Sequence, residues 1–247
     1  MSEESSGSAI LQKGAQEIGL PLSDLQIDQF ETLSRELIDW NQRMNLTSIV
    51  LPEEVQTKHF LDSLTVIRAL PKGVAAGTAG ARLIDVGSGA GFPGIPLAIV
   101  RPRVQVTLNE ATQKKCRFLE HVLAALNLRN ANVVCGRAED VAQRPDQREM
   151  YDIAVARAVA PLATLAELCL PFVRIGGRVI APKKQGIESE VAAAGRAIRT
   201  LGGVSRPSIE VRVPILDEER QLIVVDKVKP TPRAYPRRAG IPAKAPL

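Results

Sequence analysis

The chain has 247 residues, 45% of them hydrophobic, which is enough to bury the core of one large α/β domain with an appendage and excludes wholesale disorder. The formal net charge of +5 is a mild basic excess that assigns no partner by itself. No apolar run approaches the roughly 20 residues needed to span a bilayer. The polar, acidic opening MSEESSGSA lacks the basic and apolar regions of a secretory signal, so a cytoplasmic protein without membrane contact is expected.

Residues 1–20 read as a flexible N-terminus that turns partly helical. Ser23 with Gln26 has the form of a capping box. Behind it Leu25, Phe30, Leu33, Leu37, Ile38 and Trp40 approximate one helical face up to Arg43. Trp40 is read as a core anchor rather than a base-stacking platform. Pro52 and Glu53 open a second helix with Phe60, Leu61, Leu64 and Ile67 apolar, ending near Pro71. Residues 21–72 therefore form a small N-terminal helical part. A loop rich in Gly and Ala, Gly73 to Gly80, leads out of it.

The pattern then alternates. Strand-like runs are 82–86, 104–108, 132–135, 151–156, 178–181, 209–213 and 222–225. Helix-like segments 95–100, 113–126, 138–143 and 162–173 separate the first five, and 187–201 follows the fifth. The last two strands share only a short loop and can form a hairpin. This implies an α/β fold over 81–227, with a mostly parallel seven-stranded sheet whose last strand is antiparallel. Cys116, Cys135 and Cys169 lie far apart, with no CxxC pair, no metal spacing and no disulfide framework, and are read as buried thiols in a reducing compartment. From Lys227 onward there are six basic side chains, no acidic one and five prolines. This tail, 228–247, is either a solvated segment or an arm that lies on a polyanion.

Residues 83–99, LIDVGSGAGFPGIPLAI, carry the sharpest motif. Gly87, Gly89 and Gly91 let the backbone turn sharply and approach a ligand closely, and a strand, glycine turn and helix N-terminus make a nucleotide-cofactor cradle. Gly89, Gly91 and Gly94 match GxGxxG by letter. With Asp85 at the strand end, the fuller pattern DxGxGxGxPG resembles the cofactor loop of class I S-adenosylmethionine-dependent methyltransferases. That cofactor has no phosphates and carries a sulfonium and an amino group, which suit a carboxylate. No GK[ST] follows, so a P-loop is excluded. Glu110 ends the second strand, where an acid can accept from both ribose hydroxyls or complement the dipole of the next helix. Glu139 and Asp140 follow the third strand at the place of the adenine, or simply cap a helix.

The segment after the fourth strand, Val155 to Pro161, lacks the [DNS]PP[YFW] motif of amino methylation. Cys169 lies mid-helix with no nearby base, so it is rejected as a nucleophile. Arg157 stands there instead. Guanine N7 needs no general base, only in-line placement, and an arginine can donate to guanine O6 or hold a phosphate. The alternative for Arg157 is a salt bridge that orders its loop.

Taken together, Asn45-Leu46-Thr47, His59 with Asp62-Ser63-Leu64, the Asp85–Pro96 loop, Arg137-Ala138-Glu139, Arg157-Ala158, Lys183, Arg220-Gln221-Leu222 and the tail from Tyr235 to Leu247 resemble the bacterial 16S rRNA guanine-N7 methyltransferases, the glucose-inhibited division protein B family. The resemblance runs from about Asn45 to Leu247. It implies a Rossmann-like class I fold and methyl transfer from S-adenosyl-L-methionine, leaving S-adenosyl-L-homocysteine, to one guanine in the decoding-region loop of 16S rRNA. It further implies a monomer acting on the small ribosomal subunit. By the family pattern Asp85, Gly87, Gly89, Gly91 and Phe92 would line the methionine half of the cofactor, Glu110 the ribose, and Ala138 and Glu139 the adenine, with Arg157 bordering the site. Asn45, His59 and Arg157 would face the target base, and Arg137, Lys183, Arg220, Arg237 and Arg238 the RNA. Lys184 departs from the family, which usually has Gly there. A non-catalytic rRNA-binding assembly factor and a NAD-linked oxidoreductase are the competing readings.

Overall fold

A computed structural model describes residues 4–77, 80–216 and 218–247. Among the described residues eight strands form one sheet: β1 Arg82–Val86, β2 Gln105–Glu110, β3 Ala131–Cys135, β4 Tyr151–Val155, β5 Val173–Lys183, β6 Gly203–Ser205, β7 Ile209–Val213 and β8 Glu218–Lys227. Their order is β3-β2-β1-β4-β5-β8-β6, with β7 also on β8. The first five are parallel, and β8 runs antiparallel to β5, β6 and β7. The expected hairpin of the last two strands is present as β7–β8. The additional strand, β6, has three residues, too few for an alternating pattern to mark it.

Alternate side chains of a strand point to opposite faces, and β1 shows the consequence. Leu83 joins one core cluster, Ile84 and Val86 the other, and all three are buried because helices cover both faces. The N-terminal helical part covers the first face with Phe30, Leu33, Leu37, Phe60 and Leu61. Its long helix Asp24–Met44 starts at the expected capping box, with the Gln26 amide donating to Ser23 Oγ at 3.4 Å and the Ser23 amide donating to Gln26 Oε1 at 3.0 Å. Trp40 packs on Phe118, ring centroids 5.6 Å apart, as a core anchor. The next segment is helical from Pro52 to Ala69 and widens to a π-helix at Val55–Leu61, a rare geometry that concentrates at functional sites. Among the described residues no helix is long and apolar enough to cross a membrane.

Three expectations change. Residues 1–3 lie outside the described residues, but from Glu4 to Glu17 the expected flexible terminus is a helix whose Leu11 and Ala15 are buried. Gly14 lets that helix approach closely, since a Cβ there would collide with Leu61. The expected separate thiols Cys116 and Cys135 form a disulfide with Cα atoms 5.9 Å apart, and Cys135 is exposed. The helix Gln113–Ala125 folds back along β3 and closes a 19-residue separation that sequence spacing does not reveal. Finally, the basic tail is not a free arm, although Lys229, Arg233, Arg238 and Lys244 are exposed. It is strapped across the second face by buried carboxylates, and Tyr235 and Leu247 pack on the core there. Arg237 forks onto Glu167, which is fully buried, through Nε–Oε1 at 2.9 Å and Nη2–Oε2 at 2.6 Å. The Gly240 amide donates to Glu139 and Thr164 Oγ1 to the Pro242 carbonyl.

Candidate functional site

The parallel strands β1 to β4 end on one side of the sheet, where β1 lies between β2 and β4. In open α/β sheets ligands bind at this reversal of strand order. The loop after β1 adopts the turn its glycines allow, with φ of +73° at Gly87, +58° at Gly89 and +91° at Gly91. Such values disfavour any residue with a Cβ. The Gly87 and Ser88 amides both donate to the Asn109 carbonyl at 2.9 Å, which hangs the loop on the end of β2. A Cβ added at Gly89 would find only the Gly87 carbonyl oxygen, at 3.9 Å, so the loop is open above it.

Asp85 lies beneath this loop. Its Oδ2 accepts from the Gly94 amide at 2.8 Å at the start of the helix Gly94–Val100, and its Oδ1 is buried without a partner. Burial pushes the carboxyl up to about 7, opposed by the Gly94 hydrogen bond and the Arg157 charge. Glu110 at the end of β2 is preset from the protein side. Its Oε2 accepts from Gly89 N at 3.0 Å and its Oε1 from Thr112 N at 2.8 Å. Each carboxylate oxygen keeps further acceptor capacity for a diol. An orphaned buried oxygen, an open glycine cradle and a fixed acceptor pair fit a cationic nucleoside such as S-adenosylmethionine. Ala138 and Glu139 follow β3. Burial would raise the Glu139 carboxyl, but hydrogen bonds from Gly240 and Arg137 outweigh it and hold the group below its usual range. Its Oε1 is therefore shared by the tail and the third loop.

Beside the cradle stands a polar chain that joins distant parts of the sequence. Arg157 Nη1 donates to Asp62 Oδ2 at 2.7 Å and to the Lys58 carbonyl at 3.2 Å. Arg157 Nη2 meets His59 Nδ1 at 3.2 Å. A guanidinium only donates, so Nδ1 accepts and the proton sits on Nε2, which donates to Thr47 Oγ1 at 2.9 Å. Burial and then the Arg157 charge lower His59 to about 3, so the ring is neutral at physiological pH. The ring stacks on Phe92, 4.5 Å between centroids and 10° from parallel, and Arg157 lies over the same phenyl ring at 5.4 Å. Arg220 Nε completes the chain on Asp62 Oδ1 at 2.9 Å.

The Arg157 loop is fixed along its length. Ala158 has φ of +55°, a strained value for a residue with a Cβ. Lys183 Nζ donates to the Ala160 carbonyl at 3.0 Å and to Glu190 at 2.8 Å. Glu190 in turn accepts from the Leu162 amide. A recess of about 420 Å³ opens here, lined by Ala158, Val159, Ala160, Pro161, Lys183 and Glu190.

The site residues read from the sequence therefore divide. Asp85, the glycines, Phe92, Glu110, His59, Arg157, Lys183 and Arg220 gather around the ends of β1, β2, β4, β5 and β8. The ion pair that was the alternative for Arg157 is present. Asn45 is an exposed left-handed cap of the helix Asp24–Met44 with φ of +50°. Arg137 is half exposed, Arg238 is exposed, and Arg237 is tied to Glu167 on the other side of the tail. Asp62 was missed as a site residue, although it stands three positions after His59 on the same helical segment. Cys169 is buried and burial pushes its thiol up, consistent with its rejection as a nucleophile.

Comparison with known proteins identifies the family and the fold. Residues 26–223 match the family model of GidB, rRNA small subunit methyltransferase G. A protein of Dehalococcoides mccartyi named ribosomal RNA small subunit methyltransferase G is 50% identical, over 95% of this chain and 97% of its own. One of the same name from Roseiflexus castenholzii is 51% identical over 93% of this chain and 95% of its own. Among solved structures, a variant of MtNAS in complex with S-adenosylmethionine superposes with a TM-score of 0.55 at 15% identity, covering 93% of this chain and 80% of that one. That likeness concerns the fold.

Proposed function

The chain belongs to the GidB family, and from that premise we propose that it transfers a methyl group from S-adenosylmethionine to N7 of a guanine in the decoding-region loop of 16S rRNA. When bound, S-adenosylmethionine supplies an electrophilic methyl carbon on a sulfonium. Glu110 would hold the ribose, the glycine turn the methionine half, and Ala138 and Glu139 the adenine edge. The substrate is small-subunit rRNA, taken within an assembled or partly assembled subunit by a monomer.

One observation carries the choice of N7. The two members of the polar chain that could remove a proton are already engaged: His59 is neutral with both ring nitrogens hydrogen-bonded, and both oxygens of Asp62 are held by arginines, while Asp85 is buried beneath the glycine turn. Such a site suits an acceptor whose lone pair is free at neutral pH. Ring N7 of guanine is one, and its methylation needs placement rather than proton removal. Three of the five guanidinium N–H groups of Arg157 are used inside the protein. The two that remain are available to guanine O6 or a phosphate. His59 and Asp62 act here as positioning residues that fix Arg157.

The test is methyl transfer from S-adenosylmethionine to 30S subunits and to naked 16S rRNA from cells lacking this protein, followed by mass mapping of the modified nucleoside. A single 7-methylguanosine in the decoding-region loop is expected. Methylation at an exocyclic amine or at carbon would overturn the acceptor. Calorimetry showing no S-adenosylmethionine binding would replace the enzyme with an rRNA-binding assembly factor.

A further inference from the structure

The disulfide between Cys116 and Cys135 lies against one residue of the site, Glu110. Cys135 ends β3 directly opposite Glu110 in the β2–β3 register. Cys116 lies in the first turn of the helix Gln113–Ala125, with its Sγ 3.3 Å from the Glu110 carbonyl oxygen. The same carbonyl accepts from the Gly136 amide at 2.9 Å. The Glu110 carboxylate is fixed by Thr112, one residue before that helix begins. The bridge thus joins the two segments that flank Glu110, the helix start and the end of β3.

We propose that Cys116 and Cys135 form a reversible thiol–disulfide site whose partner is a low-molecular-weight thiol–disulfide couple, and whose oxidised state holds Glu110 ready for the methyl donor. The second half of this statement rests on the assignment of Glu110 to the donor's ribose. The Cα separation of 5.9 Å lies within the range that a disulfide spans without backbone movement. The two sulfurs differ in access in the way exchange requires: Cys135 is exposed, whereas Cys116 is fully buried. The exposed Cys135 thiolate attacks a small disulfide RSSR, forming a mixed disulfide and releasing one thiolate RS⁻. Cys116 then attacks Cys135 Sγ as a thiolate and releases the second RS⁻. The two protons lost by the cysteines end on the two RS⁻ groups. The two protein thiols are oxidised and RSSR is reduced to two RSH. Where rRNA is found, glutathione-type thiols keep most cysteines reduced, and the disulfides that do form there are mainly catalytic or redox-sensing. Cys169 is buried away from this exchange and serves as an internal control.

The test uses the full chain, oxidised with glutathione disulfide or reduced with dithiothreitol. Thiol titration and mapping of the linked peptides read the bridge, and calorimetry reads S-adenosylmethionine affinity. Oxidation is expected to leave one titratable thiol, that of Cys169 in denaturant, and to link the peptides holding Cys116 and Cys135. Reduction is expected to weaken S-adenosylmethionine roughly fivefold, a usual size for coupling between sites, and re-oxidation to restore it. Cys135→Ser and Cys116→Ser should each bind like the reduced protein and ignore the oxidant. Three titratable thiols after oxidation of the folded protein would overturn the proposal, and so would a bridge that forms while affinity stays the same in both states. A bridge that forms in a protein binding no S-adenosylmethionine in either state would leave the thiol–disulfide site standing and refute the assignment of Glu110.

Discussion

Replacing Asp62 by Asn removes the charge that two arginines share while keeping the side chain's size. Asp62 is 5% exposed, and the side chains of Arg157 and Arg220 are 16% and 14% exposed, so this is a largely buried ion network in which Arg220 alone has a second carboxylate partner, the half-exposed Glu218. Breaking one side of a buried pair leaves an uncompensated charge and costs about 3–5 kcal/mol. The residual access of both guanidinium groups to water and the one oxygen that Asn keeps argue for the lower end, about 3 kcal/mol. For a chain of this length each kcal/mol moves Tm by roughly 2–4 °C, so Asp62→Asn should melt about 6–12 °C lower. Its methyl transfer should fall on the order of 100-fold, because Arg157 loses the anchor that fixes its plane. S-adenosylmethionine affinity should stay within about threefold, a change worth less than 1 kcal/mol, since Asp85, the glycine turn and Glu110 are untouched. Differential scanning calorimetry, isothermal titration and a single-turnover assay separate these quantities. A coupling energy near zero between Asp62→Asn and Arg157→Ala in a double-mutant cycle would refute the reasoning, because residues in direct contact couple by about 0.5–3 kcal/mol.

Arg237→Ala should lower Tm clearly, on the order of 3 kcal/mol of stability, because it strands the fully buried Glu167 carboxylate. Arg238→Ala, at an exposed position, should leave Tm unchanged; equal effects would contradict the docked tail. Gly91→Ala should abolish S-adenosylmethionine binding or folding, since φ is +91° and a Cβ would collide with Ile95; a fully active variant refutes the turn. The pH dependence has opposing parts. His59 lies near 3 when folded against 6.5 ordinarily, so the unfolded chain binds the extra proton and stability falls as pH drops below about 6.5. Asp85 lies near 7 against 3.8, so the folded chain binds the extra proton and stability falls as pH rises from about 4 through 7. Melting curves of Asp85→Asn between pH 4 and 6.5 should therefore rise more steeply with pH than wild type, and those of His59→Gln less steeply. The reverse order would invert both assignments.

What could be read in the sequence is what is local in it. The glycine turn, its preceding Asp85 and the Ser23–Gln26 capping box each complete their geometry within about ten residues, so spacing alone displays them. Glu110 could be placed at the end of β2 beside the glycine turn because a strand end fixes where its side chain arrives. The partners of His59 could not be read this way. Thr47 is 12 residues before it and Arg157 98 after it, and only the fold of the N-terminal segment onto the sheet brings them together. A neutral histidine accepting from an arginine and one acting as a base are the same letter. The π-helical stretch and the strained Ala158 leave no periodicity to detect.

The basic excess shows most clearly how composition misleads. A run of cations without nearby acids in sequence suggests a phosphate-binding surface. In the fold, Arg157 and Arg220 share Asp62, Lys183 meets Glu190, Lys227 meets Glu149 and Arg237 is forked onto Glu167. Apart from Glu190, seven residues after Lys183, the acids come from helices and loops far away in the chain, so their pairing is invisible to a window along the sequence. A paired cation has less to gain from a phosphate than a solvated one, because the ion pair must first be given up. The salt dependence of RNA binding counts phosphates newly neutralised. Its slope should therefore respond to Arg238→Ala and barely to Arg237→Ala, the opposite of the order in which the two act on Tm. A single series of two variants, read by melting and by binding at several salt concentrations, thus separates the cations that hold the fold from those that face the RNA.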